Sequence, residues 1–467
     1  MILKYLLMNK MMNKILVIVF VLISTVTHAQ LLQPEWSKNV VMYEINVRQY
    51  SQEGTFNAVT KDLTRIKALG VDVLWIMPIH PIGVKNRKGE MGSYYSVQDY
   101  KEVSPDYGTK EDFKALVTEA HRLGMRVLID WVANHTAWDH AWISQHPNWY
   151  EQNEKGEIVT QYDWTDVAKL NFKSNEMREA MIEAMKFWVS EYDIDGYRCD
   201  VAFLVPLDFW EELRRQLEKI KPVYMLAEME WNADITRKPD TYFLNAFNAA
   251  YGWNFMGVTA DVARGTKQLT DMKKELRLNY DAFPAYMHKL LFLTNHDENS
   301  WNGTVDEKYG KNWQQFGVMV YTLPQSLPLI YTGEEVGLNR RMKFFEKDNI
   351  TKIEWANKSR EAWYKRMTTL KHTVPAFYNT GTNADWVEIP LVVTGNTGDQ
   401  HYAYKRKNGN SEAIIIINFS SNEIKVQSNE TNFASLTKGY KMESNAKQKN
   451  KNGIINLQPN SYIIYYK

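Results

Sequence analysis

The sequence predicts an α/β chain built on a closed (β/α)8 barrel of the TIM type, with a small inserted lobe after strand 3 and a C-terminal antiparallel β domain. Three observations predict it. Short apolar, β-branched runs alternate with amphipathic helical stretches from about residue 40 to 377. One connection, Asn134 to Phe172, is far too long for an ordinary strand-to-helix loop. From about Leu391 onward the pattern turns to period-two strands with polar turns.

The elements follow in order. Val40–Val47 reads as the first strand, and Thr55–Leu69 as a helix stopped by Gly70. Val71–Pro78 is the second strand, Lys110–Leu123 a helix stopped by Gly124, and Arg126–Trp131 the third strand. Asn175–Tyr192 is helical and leads to a strand at Gly196–Val201. Pro206–Ile220 is helical again, Val223–Met229 extended, and a weak strand falls near Tyr242–Phe247. Leu290–Thr294 and Leu329–Thr332 complete eight strand candidates, which favour closure over a doubly wound sheet. Beyond them, Gln400–Lys405, Ala413–Asn418, Ile424–Val426 and Ser461–Tyr466 read as antiparallel strands. The expected division is 1–29 as a signal peptide, 30–385 as the barrel with its lobe at about 134–172, and 386–467 as the β domain.

The signal peptide rests on Lys4, Lys10 and Lys14 ahead of an apolar run, Ile15 to Val26, with Thr27 and Ala29 as small residues before a cut at Gln30. The run is shorter than the roughly 20 residues that span a bilayer, so the mature chain is expected to be exported, periplasmic or extracellular, without a membrane span. A net charge of +1 gives no sign of the concentrated basic face that a nucleic-acid partner would want, and no such partner is expected. The single cysteine, Cys199, excludes an intrachain disulfide. A monomer stabilised by core burial is the expectation.

Barrel enzymes carry their chemistry at the C-terminal ends of strands, and four such ends here hold acids among other polar groups. They are Asp130-Trp131-Val132-Ala133-Asn134-His135, Arg198-Cys199-Asp200, Ala227-Glu228 and Thr294-Asn295-His296-Asp297. In a strand, residues two apart face the same way, so Arg198 and Asp200 should both face the barrel axis and Cys199 the helices. A guanidinium beside Asp200 would keep it ionised, while crowding of several acids would raise another's pKa. One lone acid is ordinarily a solvated loop residue or a cap. Four clusters on barrel strand ends are a different matter.

At these motifs the chain resembles the alpha-amylase family, glycoside hydrolase family 13, over nearly its whole length from Trp36. Val167-Ala168-Lys169-Leu170-Asn171 is similar to the family's fifth region in its neopullulanase-like form, and Tyr95 falls where the family has a sugar-stacking tyrosine. The resemblance implies Asp200 as nucleophile, Glu228 as general acid and base, and Asp297 as the carboxylate that holds sugar hydroxyls and stabilises the transition state. It implies Tyr95, His135, Arg198 and His296 around the same sugar. His80 and His121 are read instead as core or loop residues. Glu230, at period two from Glu228, is a rival acid.

The implied reaction is retaining hydrolysis of alpha-glucosidic, mainly alpha-1,4, bonds in starch-derived or malto-oligosaccharides. Transglycosylation, alpha-1,6 cleavage and a non-catalytic carbohydrate-binding role are the alternatives. Two departures bear on them. Phe203-Leu204 stands where the family's amylases often have Lys-His, removing a leaving-group contact and a position tied to a structural calcium. No cofactor is required, and a structural calcium would have Asn134 as its ligand, helped by Asp163 or Asp166. Val201, directly after the candidate nucleophile, is a residue seen in alpha-1,6-cleaving relatives.

Overall fold

The computed structural model describes residues 33–229, 245–282, 284–381, 386–394, 400–428, 438–447, 449–451 and 454–467. The signal-peptide segment and Glu230 lie outside them.

Eight parallel strands close in chain order: β1 (Met42–Ile45), β2 (Val73–Ile76), β3 (Arg126–Trp131), β4 (Gly196–Cys199), β5 (Tyr224–Ala227), β6 (Ala249–Tyr251), β7 (His288–Leu291) and β8 (Ser326–Tyr331). Closure is made by β8 against β1, with Met42 beside Leu329 and Tyr43 beside Ile330. Strands buried on both faces need no polar alternation, and β1, β2 and β4 to β8 are buried at every position. The first strand is shorter than its sequence suggests. Asn46 ends it by accepting the Gln49 N–H, so Val47 opens a helical turn, Val47–Tyr50. The sixth strand is Ala249–Tyr251; residues 245–247 precede it, and 242–244 lie outside the described residues.

The helices follow their caps. Thr109 and Asp112 form a reciprocal capping box at the head of Lys110–Arg122, and Thr55 caps Phe56–Ala68. Asn175–Tyr192 ends where Asp193 turns left-handed. At the head of β4 only glycine fits, since a Cβ on Gly196 would fall 1.9 Å from the Tyr224 carbonyl oxygen. That close approach sets β4 hard against β5.

The inserted lobe is irregular. Its two short strands, His135–Ala137 and Val167–Lys169, pair antiparallel, with a short helix Ala141–Gln145 between them. Its walls are aromatic, with Trp142 at 5.1 Å from Trp149 and 5.4 Å from Tyr100.

The C-terminal strands form a five-stranded and a four-stranded antiparallel sheet. The run Ser411–Asn418 is apolar without alternation, for a reason the sequence pattern hides. Ile414 and Ile416 face the second sheet with Val426 and Ile463, whereas Ile415 and Ile417 join the barrel's own core. This central strand is buried on both faces, while the edge strands Trp386–Glu388 and Lys441–Ser444 are not.

Candidate active site

Strand register builds the site. Asp130 pairs with Arg198 across β3 and β4, and Cys199 pairs with Ala227 across β4 and β5. The next residue on each of the latter strands is an acid, so Asp200 and Glu228 leave the barrel rim side by side. Backbone bonds continue the register, with Asp200 N–H on the Trp131 carbonyl and Glu228 N–H on the Cys199 carbonyl.

Arg198 is the hub. Fully buried, it donates from Nη1 to Asp130 at 2.8 Å and to Asp200 at 3.1 Å, and from Nε to the Tyr251 hydroxyl at 3.0 Å. Its Nη2 stands 2.9 Å from Glu228 Oε2 as an ion-pair contact without hydrogen-bond alignment. One guanidinium thus spans both rim acids and the acid beneath them. The Val201 N–H donates to the same Glu228 oxygen at 2.8 Å.

The opposite wall comes from β7. His296 Nε2 reaches the Tyr95 hydroxyl at 2.7 Å and Asp297 Oδ2 at 3.2 Å, and Tyr95 donates to Asp130 at 3.1 Å. His135, on the lobe, is buried against Trp164, and burial pushes its imidazole down to about 4, so it is neutral at pH 7. Tyr95, His135, Asp200, Glu228 and Asp297 all line one cleft of about 1390 Å³, and Arg198 and His296 support it from beneath.

The acids divide electrostatically. Burial raises the pKa of both Asp200 and Glu228, and each is pushed further by another acid: Asp200 by Glu228, and Glu228 by Asp297. Arg198 opposes the rise in both without cancelling it. Arg198 thus favours the charged form of both acids, as expected for Asp200, while burial and the neighbouring acids favour a shared proton. Asp297 goes the other way. Burial works against its charge, but the positive charge on His296 wins and lowers its pKa.

Sequence reasoning missed three members. Trp75 donates from its indole to Asp130 at 3.1 Å, and Tyr251 receives Arg198 from the short sixth strand. Glu44, on β1, sits 2.5 Å from His296 Nδ1. A carboxylate inside a strand buried at every position was the available signal. His80 is buried among Trp131, Trp188 and Tyr100, and His121 pairs with Asp195 on the far side of the barrel, as core and loop readings require.

Of the residues expected at a calcium, Asp166 is already paired with Lys88 at 3.0 Å. Asn134 is engaged through its amide nitrogen, which contacts His135 Nδ1 at 3.1 Å, its amide oxygen remaining the atom that would meet a cation. Among the described residues no three His, Cys, Asp or Glu side chains converge as a metal cage.

The family model described as the catalytic domain of alpha amylase matches residues 35–155 and 143–390. This chain belongs to the alpha-amylase family. It carries an alpha-amylase-type glycoside hydrolase domain. It is similar to the alpha-amylase MalA of Haloarcula japonica, 28% identical over 83% of this chain, although the match spans only 56% of that protein's length. Among solved structures, it is similar to an alpha-amylase from Lactobacillus plantarum (TM-score 0.78, 28% identity, 92% of this chain and 99% of that one). It is also similar to the maltogenic alpha-amylase AmyB of Thermotoga neapolitana (TM-score 0.77, 27% identity, 92% and 98%). The eight-stranded barrel and the C-terminal antiparallel strands match these amylase structures.

Proposed function

We propose that the chain is a retaining hydrolase of alpha-glucosidic bonds, mainly alpha-1,4, in starch-derived or malto-oligosaccharides. The observation that carries this reading is the span of Arg198 across Asp200 and Glu228, with Asp297 on the facing wall of the same cleft.

In the first step an Asp200 oxygen forms a bond to the anomeric carbon as the glycosidic C–O bond breaks, and Glu228 gives its proton to the departing oxygen. Val201 and Arg198 occupy Glu228 Oε2, which leaves Oε1 as the proton-bearing oxygen. In the second step Glu228 takes a proton from water, the water oxygen replaces Asp200 at the anomeric carbon, and the Asp200 carboxylate is restored. Two inversions return the alpha configuration. Asp297, ionised beside His296, holds the sugar hydroxyls and stabilises positive charge at the ring; Tyr95 and His135 line the same sugar's position.

A second reading, alpha-1,6 cleavage, is favoured by Val201, and transglycosylation by a sugar acceptor replacing water at the second step. Relatives named trehalose synthase and maltosyltransferase are 24% and 34% identical to this chain, the latter over 37% of it, and their names support keeping transfer as a second reading. A purely carbohydrate-binding role is disfavoured because Asp200, Glu228 and Asp297 are all present in one cleft. The neopullulanase-like segment lies on the lobe strand Val167–Lys169, beside the cleft residues Trp164 and Asp166. We read the protein as an exported monomer that works without a metal.

Maltoheptaose digestion followed by proton NMR tests the proposal. Alpha-anomeric product appearing first supports retention at alpha-1,4 bonds. Beta-anomeric product first overturns the double displacement, and turnover of isomaltose without turnover of maltoheptaose transfers the assignment to alpha-1,6 bonds.

A further inference from the structure

The carboxylate of Glu44 has no part in the two steps above, yet it is built into their support. It is fully buried on β1, where its Oε1 lies 2.5 Å from His296 Nδ1 and its Oε2 has no hydrogen-bond partner among the described residues. A buried carboxylate with one contact is costly unless that contact is a cation.

The proton inventory of the contact chain points the same way. Tyr95 gives its hydroxyl hydrogen to Asp130 Oδ2, so its oxygen is an acceptor towards His296. Asp297, the second group at His296 Nε2, is an acceptor as well. Nε2 therefore carries a hydrogen. At the other end of the ring Nδ1 faces a carboxylate, and it too carries one. A neutral imidazole has a single N–H and cannot serve both ends. We propose that Glu44 is a positioning residue that holds His296 as a doubly protonated imidazolium, whose second N–H fixes the carboxylate of Asp297 and the hydroxyl of Tyr95 against the sugar.

Among the described residues around the pair the acids outnumber the one other cation, Arg198, and Glu44 is also faced by the neutral phenols Tyr251 from β6 and Tyr331 from β8. His296 is faced by Glu44 from β1, Asp130 from β3, Arg198 from β4, Glu228 from β5, Tyr95 from the loop after β2, and its neighbour Asp297. Trp75 from β2 packs edge-on against its ring and Phe344 tilts over it, and neither is charged. Burial disfavours a cation here, but Asp297 and Glu44 outweigh it and raise the imidazole well above its usual range. Burial raises the Glu44 carboxyl against the pull of His296 and Arg198, so the alternative is a protonated Glu44 donating to a neutral ring, which would leave Asp297 only Arg198 as counter-charge.

The inference rests on the proposed role of Asp297 for its meaning, but its test does not. Histidine-ring nitrogen NMR on the full chain, with His296 assigned by the signal lost in His296→Asn, reads the protonation state directly. In the wild type both ring nitrogens are expected to stay protonated between roughly pH 5 and pH 9. In Glu44→Gln, which keeps the shape and loses the charge, the midpoint should fall by at least about two pH units. kcat/KM on maltotriose should then fall about 10- to 100-fold above that midpoint and recover below it. A wild-type ring with one bare nitrogen at neutral pH overturns the proposal without any variant. So does a Glu44→Gln protein with the wild-type midpoint and pH profile. If the chain cleaves no alpha-glucan, the reading of its function fails while the ring spectrum still decides this one.

Discussion

The Val201 N–H donates to Glu228 Oε2 at 2.8 Å from a backbone held in the left-handed region, at φ 36° and ψ 46°. A β-branched residue avoids that region, and the conformation costs of order 1–3 kcal/mol. The turn after Asp200 is thus strained in the geometry that lets one backbone donor fix the acid on the neighbouring strand.

Val201→Gly should relieve this strain and raise stability by about 1 kcal/mol, while loosening the donor and lowering kcat. Urea midpoints and turnover on maltotriose check the two halves separately. Val201→Thr should lower kcat/KM on isomaltose relative to maltotriose; an unchanged ratio removes Val201 as a determinant of linkage.

Asp200→Asn should fold normally and lose turnover by on the order of 10⁴-fold or more, because no other described carboxylate is placed to replace it. Glu228→Gln should cost about 10²- to 10⁴-fold on natural glucans, and much less on substrates whose leaving group needs no proton. Single-turnover kinetics on both substrate types will show whether the loss follows leaving-group basicity.

Trp301 is 52% exposed at the cleft, tilted against Phe344 at 5.5 Å, and Phe344 stacks on Tyr95. This aromatic row offers a sugar face beyond the reacting unit. Trp301→Ala should raise KM for maltoheptaose by about 2- to 12-fold, the equivalent of 0.5–1.5 kcal/mol, and leave kcat nearly unchanged.

Glu334 follows β8, with Oε2 accepting the Tyr331 N–H at 3.0 Å. Burial pushes its carboxyl up to about 7, against the Tyr331 N–H and Arg360. Between about pH 4.5 and 7 the folded chain holds this proton more tightly than the unfolded chain, so its contribution to stability falls as pH rises. Neutral Glu334→Gln lacks that slope. Denaturant midpoints at both pH limits should show the variant gaining on the wild type by on the order of 3 kcal/mol as pH rises.

Lys88 supplies the positive charge beside Asp166 that calcium would otherwise bring. EDTA should therefore leave turnover and the thermal midpoint unchanged, whereas Lys88→Met should lower the midpoint. A chelator-induced fall in both would restore the metal.

Much of this was legible in the sequence because barrel strands combine two strong signals, a short apolar run and a polar cluster at its end. Arg126–Trp131 and Asn175–Tyr192 have the bounds that periodicity assigns them. Ala249–Tyr251 does not announce itself: three residues, two of them alanine, carry no β-branched pattern, and their pairing with β5 and β7 makes them a strand. Glu44 was hidden for the opposite reason. Strand alternation places it on a face, but only β7, some 250 residues later, supplies the imidazole that explains a buried carboxylate. Tertiary partners of this kind leave no local trace.

The sheet strand Ser411–Asn418 is wall to two cores at once, Ile415 and Ile417 serving the barrel, Ile414 and Ile416 the sandwich. Such a wall leaves no seam along which the chain could come apart in stages. Heat should melt barrel and sandwich in one cooperative transition, and a protein cut before Trp386 would lose the cover over its own hydrophobic floor along with the appended module.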